Sequence, residues 1–412
     1  MGLAPDLVLA AQALGHRSPT PIQQQAVPAV LAGADLLATA PTGSGKTLAY
    51  ALPLLQPLLL RPTPQRHVRA LVLVPTRELA AQVGEVLRAL AHPQQRGLRV
   101  CVLFGGVSIN PQLMGLRGGA DVVVATPGRL LDVVAHHALR LDRVDTLVLD
   151  EADRLLDLGF ADELERVLAL LPARRQNLFF SATFEAGVQA LAAGLLHQPV
   201  RVEVAATGTD APAIAQRAIA VDTARRAQLL RHLMATEGWR RVLVFVATQH
   251  AANMLAAKLH RGDCFATPFH GGLSQGARQA VLQEFKDQRW DVVVTTDLAA
   301  RGIDILEMPV VVNFDLARSA TDHVHRIGRT ARAGASGTAV SLVTASSLAH
   351  WNLIQKRQGL SLPLEVVPGF EPTETPPPPS DGNGGTGGIK GKRPSKKDKL
   401  RAAAKAGEHG KG

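Results

Sequence analysis

Short apolar runs alternate with amphipathic stretches along most of the chain. The first series of runs, rich in Val, Leu and Ile, lies at 35–40, 70–74, 99–104, 121–125, 146–150 and 177–181. The second series lies at 241–246, 290–295, 309–314 and 338–343. Apolar runs of strand length that alternate with helix-like stretches are typical of a parallel sheet covered by helices. The pattern therefore predicts an α/β protein with two tandem units, each built on a mostly parallel sheet.

Changes in composition predict where these units begin and end. Residues 205–212 are rich in Gly, Thr, Asp and Pro, which favours a turn-rich connector between the two series. From about Pro368 the chain changes character, with four prolines at 376–379 followed by Gly-rich and Lys-rich stretches. The predicted organisation is a first domain at 1–204, a linker at 205–212, a second domain at 213–368 and a disordered tail at 369–412.

The composition excludes several classes of protein. Hydrophobic residues make up 46% of the 412 residues, which supports folded domains and argues against a wholly disordered chain. The longest apolar stretch, 48–60, is interrupted by two prolines and a glutamine, so no segment reaches the roughly 18 apolar residues of a membrane-spanning helix. The N-terminus has no signal-peptide pattern. Cys101 and Cys264 are expected to be reduced core residues, although one disulfide is conceivable. We therefore expect a cytoplasmic protein without a membrane partner.

A phosphate-binding loop is predicted at Ala40-Pro41-Thr42-Gly43-Ser44-Gly45-Lys46-Thr47, between a candidate strand and a candidate helix. Glycines in such a loop let backbone N–H groups surround a phosphate, while Lys46 reaches the β- and γ-phosphates and the Thr47 hydroxyl ligates Mg²⁺. The first position departs from the general pattern, with Ala40 in place of glycine. The alternative is an ordinary Gly-rich turn between a strand and a helix.

Two adjacent carboxylates follow the apolar run at 146–150. Asp150 is expected to hold Mg²⁺ through water, and Glu151 to orient and deprotonate the attacking water. Ligands of open α/β sheets gather at the carboxyl ends of strands, where Lys46 and Asp150 are both expected. Taken alone, an acidic pair after an apolar strand is usually just a solvated strand end. Together with the Gly-rich loop, it favours a nucleotide triphosphatase.

The residues Asp150-Glu151-Ala152-Asp153 spell the signature of the DEAD-box ATP-dependent RNA helicases, and the chain resembles that family from about Gly15 to Leu342. Further matches to family motifs follow in order at 19–23, 75–80, 105–106, 126–129, 181–183, 244–248, 270–278, 295–304 and 325–334. Any one short string arises easily by chance, whereas the ordered set does not. The resemblance implies two RecA-like domains that use ATP and Mg²⁺ and bind RNA.

By this resemblance, the ATP site combines residues from both domains. The implied nucleotide contacts are Gln23, Thr42, Gly43, Ser44, Gly45, Lys46, Thr47 and Asp304. Gln23 matches the glutamine that reads adenine, and Asp304 the carboxylate that meets the ribose. Arg329 and Arg332 match the arginine fingers that neutralise charge on the transferred γ-phosphoryl group, although a solvated basic turn is the alternative. The implied links between the ATP and RNA sites are Asp153, Ser181, Thr183 and His325. Because Lys46 and Arg329 lie in different domains, closure of the domains is expected to complete the site.

The RNA contacts implied by the resemblance come from both domains as well. They are Thr76, Arg77, Gly106, Thr126, Gly128 and Arg129 in the first, and Gly271, Arg278, Thr296 and Arg301 in the second. Hydroxyls, glycine amides and arginines contact phosphate and sugar and carry little sequence information. Aromatic residues are only 4% of the chain, so base stacking is not expected to be the main grip. The expected partner is single-stranded or short duplex RNA, bound with little sequence preference.

Several positions depart from the family pattern. His16 and His323 stand where a tyrosine is frequent, and Ala331 where glycine is common. None of these removes a charge or a catalytic group, so activity is expected to survive. In the family, the aromatic residue that stacks on adenine lies a few residues before the Gly-Leu that here stands at 2–3. We expect the natural chain to extend further upstream, and weaker adenine binding is the alternative.

Much of the positive charge is in the tail. The formal net charge is +10, and residues 380–412 carry nine Lys or Arg against three Asp or Glu, a net of +6. This tail resembles the basic extensions of bacterial RhlE-type members. The residues expected to add salt-sensitive RNA affinity are Lys390, Lys392, Arg393, Lys396, Lys397 and Lys399. A solubilising tail without a partner is the alternative.

The sequence as a whole predicts an ATP-dependent RNA helicase that closes on single-stranded RNA and locally parts short duplexes or remodels RNA–protein complexes. An ATP-gated RNA clamp or scaffold without productive unwinding is the alternative. A DNA translocase is disfavoured by the DEAD motif and by the match at 19–23. A monomer is expected, with a dimer left open.

Overall fold

Two seven-stranded sheets organise the computed structural model of the chain. The structure describes residues 1–41, 43–61, 63, 66–91, 97–184, 186–204, 214–262, 264–300, 308–330 and 336–375. The first sheet contains β1 (Leu36–Thr39), β2 (Ala70–Leu73), β3 (Val100–Leu103), β4 (Val122–Ala125), β5 (Thr146–Leu149), β6 (Gln176–Ser181) and β7 (Val200–Glu203). Its strand order is β3-β4-β2-β5-β6-β1-β7, and neighbouring strands run parallel. We call the part of the chain around this sheet the first lobe.

The second sheet repeats this arrangement and defines the second lobe. It contains β8 (Ile214–Ala220), β9 (Val242–Phe245), β10 (Ala266–Phe269), β11 (Val292–Thr295), β12 (Val310–Asn313), β13 (Gly337–Val343) and β14 (Leu364–Glu365). Its order is β10-β11-β9-β12-β13-β8-β14, again with parallel neighbours. The central strands are apolar along their whole length because helices cover both faces of a parallel sheet.

Helices connect the strands of both lobes. In the first lobe they are α1 (Pro5–Ala13), α2 (Pro21–Leu31), α3 (Lys46–Leu60), α4 (Arg77–Ala91), α5 (Asn110–Gly115), α6 (Pro127–Ala135), α7 (Ala152–Asp157), α8 (Ala161–Leu168) and α9 (Ala186–Leu195). In the second they are α10 (Arg226–Thr236), α11 (Gln249–His260), α12 (Gln275–Lys286), α13 (Asp297–Ala300), α14 (Ala320–Ile327) and α15 (Leu348–Gln358). Side-chain caps fix several starts: the hydroxyls of Thr248, Ser274 and Ser319 accept backbone N–H groups at the first turns of α11, α12 and α14.

Each lobe has its own buried apolar layers on the two sides of its sheet. Both lobes belong to one compact unit, Met1–Glu374. In the described part of the chain, none of the helices combines the length and the apolar character that are needed to cross a bilayer. The predicted pair of mostly parallel α/β units is confirmed.

The sequence pattern missed four strands, and each has a physical reason. β7, β10 and β14 border solvent or lie near a sheet edge, where polar residues, Pro268 or a length of two residues weaken the apolar signal. β8 has the sequence IAQRAIA, which lacks a Val- and Leu-rich run. The predicted linker at 205–212 lies outside the described residues.

The prediction that the disordered tail begins at 369 is wrong for its first residues. Phe370 is buried in the second lobe, where the Arg225 guanidinium lies 4.7 Å from the centre of its ring. The Asp222 carboxylate accepts hydrogen bonds from the backbone N–H groups of Thr373 and Glu374 and from the Thr373 hydroxyl. A single aromatic side chain and a well-satisfied carboxylate therefore hold a segment that composition alone assigns to the tail. Residues 376–412 lie outside the described residues.

Candidate functional site

The predicted phosphate loop joins β1 to α3 at the carboxyl end of the sheet. Gly43 and Gly45 have φ angles of 83° and 93°, in the left-handed region that favours glycine. A Cβ atom on Gly45 would lie 2.5 Å from Gln23 Nε2, so a side chain at this position would collide with its neighbour. The loop is thus shaped by two glycines, as its proposed role requires. Thr42 lies outside the described residues.

Two polar side chains of the loop face its interior. Lys46 is 8% exposed, and its Nζ donates to the carbonyl oxygens of Ala40 at 2.6 Å and Pro41 at 3.2 Å. Within the described residues the buried hydroxyl of Ser44 has no hydrogen-bond partner. A buried polar group of this kind is normally satisfied, so the loop offers a donor to an added ligand.

Gln23 supports the loop from α2. Its Nε2 donates to the Gly45 carbonyl at 3.1 Å, and its Oε1 accepts from the Thr20 backbone N–H at 3.0 Å. The amide is 5% exposed and holds together the start of α2 and the phosphate loop. This contact differs from the adenine contact implied by the resemblance.

The predicted acidic pair follows β5, two strands away from the loop-bearing β1. The Asp150 carboxylate accepts at Oδ1 from the Glu151 backbone N–H at 2.9 Å and at Oδ2 from the Tyr50 hydroxyl at 2.8 Å. Burial, followed by repulsion from Glu151, raises the pKa of Asp150 to about 6, while Lys46 opposes the rise. Glu151 has a φ angle of 50°, a strained conformation for a residue with a side chain.

This pair of carboxylates fits a divalent cation. Asp150 supplies a hard carboxylate oxygen after β5, and the half-buried Thr47 supplies a hydroxyl oxygen in the first turn of α3, the helix that also carries Tyr50, whose phenol contacts Asp150. Mg²⁺ prefers oxygen ligands and a small number of protein carboxylates. A positive charge beside Asp150 would also favour its ionised form, which burial and Glu151 disfavour.

Tyr50 was not singled out in the sequence analysis. It is the only tyrosine in the chain, and it stands four residues after Lys46 in an otherwise apolar helix. Residues four apart lie on the same face of a helix. That spacing was the available signal, although its partner, Asp150, is 100 residues away.

The predicted coupling residues of the first lobe lie together. Asp153 Oδ2 accepts from the backbone N–H of Thr183 at 3.2 Å and from its hydroxyl at 3.1 Å. The Ser181 hydroxyl donates to the Thr183 carbonyl at 2.6 Å. The end of β6 is therefore tied to the start of α7, directly beside the acidic pair.

Two predicted second-lobe residues, the arginine finger Arg329 and the coupling residue His325, face a cavity between the lobes. Arg329, which is 8% exposed, and His325 line this small cavity together with Arg154 of the first lobe. The other two predicted second-lobe residues of the ATP site, Arg332 and Asp304, lie outside the described residues.

Among the residues that the structure describes, two largely buried ion pairs join the lobes. Arg154 Nη1 lies 3.1 Å from Asp322 Oδ1, with side-chain exposures of 5% and 17%. Arg278 Nη2 lies 2.8 Å from Glu78 Oε1, with side-chain exposures of 4% and 9%. The first pair is next to the acidic motif, and the second is beside Arg77, whose Nε also contacts Glu78 at 3.2 Å.

The candidate RNA contacts of the first lobe follow three neighbouring strands. Thr76 and Arg77 come after β2, Gly106 after β3, and Thr126, Gly128 and Arg129 after β4. Arg129 is 8% exposed, donates from Nη2 to the Val107 carbonyl and pairs through Nε with Asp132 Oδ2 at 3.6 Å, whereas its Nη1 has no hydrogen-bond partner among the described residues. A buried guanidinium with unsatisfied donors is suited to an anionic oxygen.

The second lobe adds candidate contacts after β10 and β11. Gly271 is exposed, and Thr296 lines a cleft of 670 Å³ whose other walls include Asp157 of the first lobe and Thr248 of the second. Arg278 packs on the Phe269 ring at 4.8 Å and, as described, pairs with Glu78, although its Nε has no partner within the described residues. Arg301 lies outside the described residues.

Comparison with known families identifies both lobes. The family model for DEAD/DEAH box helicases matches residues 20–191, and the model for the helicase conserved C-terminal domain matches residues 225–334. The chain is 40% identical over 368 residues to the ATP-dependent rRNA helicase RRP3 of Pyricularia oryzae, covering 88% of this chain and 68% of that protein. It is 39% identical over 371 residues to DEAD-box ATP-dependent RNA helicase 28 of Oryza sativa subsp. japonica, covering 89% of this chain but only 46% of that protein.

A solved structure supports the same assignment. S. cerevisiae Dbp5 bound to RNA and ADP BeF3 is 30% identical, has a TM-score of 0.76, and covers 89% of this chain and 94% of its own. The ordered motifs, the pair of parallel sheets and these relatives agree with one another. The chain belongs to the DEAD-box family of ATP-dependent RNA helicases.

Proposed function

We propose that this chain couples ATP binding and hydrolysis to closure of its two lobes on single-stranded RNA, and thereby parts short duplexes or remodels RNA–protein complexes. One observation carries the proposal. In the first lobe, the candidate ATP residues lie at the carboxyl ends of β5, β6 and β1 (the ATP half), and the candidate RNA residues lie at the carboxyl ends of β3, β4 and β2 (the RNA half). A buried ion pair joins each half to the second lobe. Ligands at either half would therefore favour the same closed arrangement.

Within the ATP half, each side chain has a proposed task. Lys46 holds the β- and γ-phosphates, with the backbone of the loop 42–45 around them. Thr47 and Asp150 hold Mg²⁺, which neutralises phosphate charge when it is bound. Glu151 orients the attacking water and accepts its proton.

The second lobe completes this site. Arg329 and Arg332 neutralise the charge that develops on the transferred phosphoryl group, and Asp304 meets the ribose. Gln23 is proposed to contact adenine by turning its amide from the Gly45 carbonyl towards the base, since the same group cannot serve both partners fully. Asp153, Ser181, Thr183 and His325 connect this half to the RNA half.

The RNA half is proposed to hold the sugar–phosphate backbone. The Arg129 guanidinium, whose Nη1 has no hydrogen-bond partner among the described residues, takes a phosphate oxygen, and the hydroxyls of Thr76, Thr126 and Thr296 take further ones. The glycines at 106, 128 and 271 let the RNA backbone approach closely, while Arg77, Arg278 and Arg301 add charge. Because the yeast neighbour is bound to RNA and ADP BeF3, we infer that both ligands occupy this chain together.

Four finer assignments are also proposals. We propose an RhlE-type member whose tail, through Lys390, Lys392, Arg393, Lys396, Lys397 and Lys399, keeps RNA near the core. We propose a monomer in the cytoplasm without a membrane partner. Free Cys101 and Cys264 support a reducing compartment.

The first test is steady-state ATP hydrolysis without nucleic acid, with single-stranded RNA and with DNA of the same sequence. We expect strong stimulation by RNA, little by DNA, and Mg²⁺-dependent unwinding of a short RNA duplex. Lys46→Ala is expected to abolish hydrolysis and to report any contaminating ATPase. A rate that is indifferent to RNA would contradict the proposal, and hydrolysis without unwinding or remodelling would favour the clamp.

A further inference from the structure

The buried Tyr50 hydroxyl contacts Asp150, one of the two residues to which we assign Mg²⁺. Tyr50 is 0% exposed, and its hydroxyl donates to Asp150 Oδ2 at 2.8 Å. Thr47 stands three residues before Tyr50 in the same helix, α3. One phenol therefore connects the α3 helix of the phosphate loop with the acidic end of β5.

Packing alone does not explain a tyrosine at this position. The ring contacts Phe180 with the centroids 5.2 Å apart, in a helix whose neighbours at 48, 49, 51 and 52 are apolar and buried. A phenylalanine would fill the same space without burying a hydroxyl, which costs free energy unless it is hydrogen-bonded. The hydroxyl of Tyr50 is thus accounted for by its hydrogen bond to Asp150.

Two hydrogen bonds fix the orientation of the Asp150 carboxylate. Oδ1 is held by the Glu151 backbone N–H and Oδ2 by Tyr50, so the plane of the carboxylate is set from two sides. The hydroxyl reaches Oδ2 from a rigid ring, which Phe180 holds in turn. Lys46 and Tyr50 project from the same face of α3, which ties the position of Asp150 to the phosphate loop.

We propose that Tyr50 is a positioning residue for the Mg²⁺ complex of ATP, because its hydroxyl holds the Asp150 carboxylate in register with the phosphate loop from which α3 begins. The inference rests on the Mg²⁺ role proposed for Asp150. Groups that orient a metal ligand commonly affect metal affinity or activity by roughly 10- to 100-fold when they are removed.

The test compares Tyr50→Phe with wild type in the full chain. Fluorescent ADP binding is titrated with Mg²⁺, and RNA-stimulated ATP hydrolysis is measured at several ATP and Mg²⁺ concentrations. We expect the Mg²⁺ concentration for half-maximal ADP binding to rise about tenfold. kcat should fall at limiting Mg²⁺ and recover in part at high Mg²⁺, while ADP binding in EDTA should stay within about twofold of wild type.

Two further variants separate the possible causes. Phe180→Leu disturbs the packing around the ring but leaves the hydroxyl in place, so we expect a lower unfolding temperature with an unchanged Mg²⁺ requirement. Asp150→Asn should lose most of the Mg²⁺ response. If Asp150→Asn keeps that response, the proposed Mg²⁺ role itself fails. If it loses the response but Tyr50→Phe matches wild type, only the role of Tyr50 fails.

A spectroscopic measurement gives a readout that is independent of turnover. Because Tyr50 is the only tyrosine, uniform incorporation of 3-fluorotyrosine places a single ¹⁹F label on the ring beside Asp150. We expect its resonance to shift when Mg²⁺ is added to the ADP complex, and to shift less when ADP is added in EDTA. A resonance that responds to ADP but not to Mg²⁺ would overturn the inference, as would a Tyr50→Phe variant that loses thermal stability with no change in its Mg²⁺ requirement.

Discussion

The ion pair between Arg154 and Asp322 offers a direct test of lobe closure. Arg154 lies in α7 of the first lobe, and Asp322 lies in α14 of the second, with 3.1 Å between the charged atoms. Neither residue is assigned to ATP or RNA. Removing this pair should therefore weaken closure without removing a contact to either ligand.

The size of the effect follows from burial. The two side chains are 5% and 17% exposed, so the pair is largely desolvated when the lobes meet. Removing one partner of a buried pair costs about 3–5 kcal/mol. The partial exposure of Asp322, and the second contact of Arg154 with Asp157 at 3.5 Å, reduce this cost. We expect about 2 kcal/mol for either single variant, which is roughly a 30-fold loss in RNA affinity if closure limits binding.

The assay is a double-mutant cycle on RNA binding. Affinity for a fluorescent single-stranded RNA is measured with a non-hydrolysable ATP analogue and with ADP, for wild type, Arg154→Ala, Asp322→Ala and the double variant. With the analogue, the double variant should be little weaker than either single variant, because the pair is lost once. Arg140→Ala is the matched control: its pair with Asp142 lies within the first lobe and is 84% and 50% exposed, so less than about a twofold change is expected.

Two results would refute this reasoning. Fully additive losses in the double variant would mean that the two charges do not interact across the lobes. Equal losses with ADP and with the analogue would mean that the pair stabilises the protein in general instead of its closed form. The Glu78–Arg278 pair is more deeply buried. It is less suitable for this test because Arg278 is also a candidate RNA contact, so its removal could weaken RNA binding directly.

The sequence could predict that most candidate site residues lie together because most candidate motifs directly follow an apolar run. The runs at 70–74, 121–125 and 146–150 correspond to β2, β4 and β5 to within one residue. Strands in a parallel sheet end on the same edge, so residues after different strands had to share one face of the lobe. What the sequence did not contain is the lateral order of the strands. That order places the RNA candidates on β3, β4 and β2, and the ATP candidates on β5, β6 and β1.

The contact partners of the polar side chains were the second feature that the sequence could not predict. Gln23 contacts Gly45, Arg278 contacts Glu78, and Tyr50 contacts Asp150, in each case across a sequence separation that no periodicity encodes. Such pairs depend on how helices pack on the finished sheet. Residue type showed that these side chains are polar and therefore need partners, whereas only the packed lobes show which partners they have.

Three further predictions concern the acidic pair, the tail and a buried histidine. Glu151→Gln should bind ATP and RNA but release RNA far more slowly than wild type, and release as fast as wild type in a stopped-flow assay would remove its assigned role. Deleting 380–412 should weaken RNA binding and flatten its salt dependence, and an unchanged slope would favour a purely solubilising tail. His323 is 1% exposed, and burial followed by Arg326 lowers its pKa from 6.5 to about 4. The unfolded chain therefore takes up a proton that the folded chain does not bind. The contribution of neutral His323 to the free energy of unfolding is complete above about pH 6.5 and is lost as the pH falls towards 4. In urea unfolding, the free energy of unfolding of wild type should fall by about 2 kcal/mol more than that of His323→Phe between pH 7.5 and pH 5. Equal decreases would show that His323 can be protonated in the folded lobe.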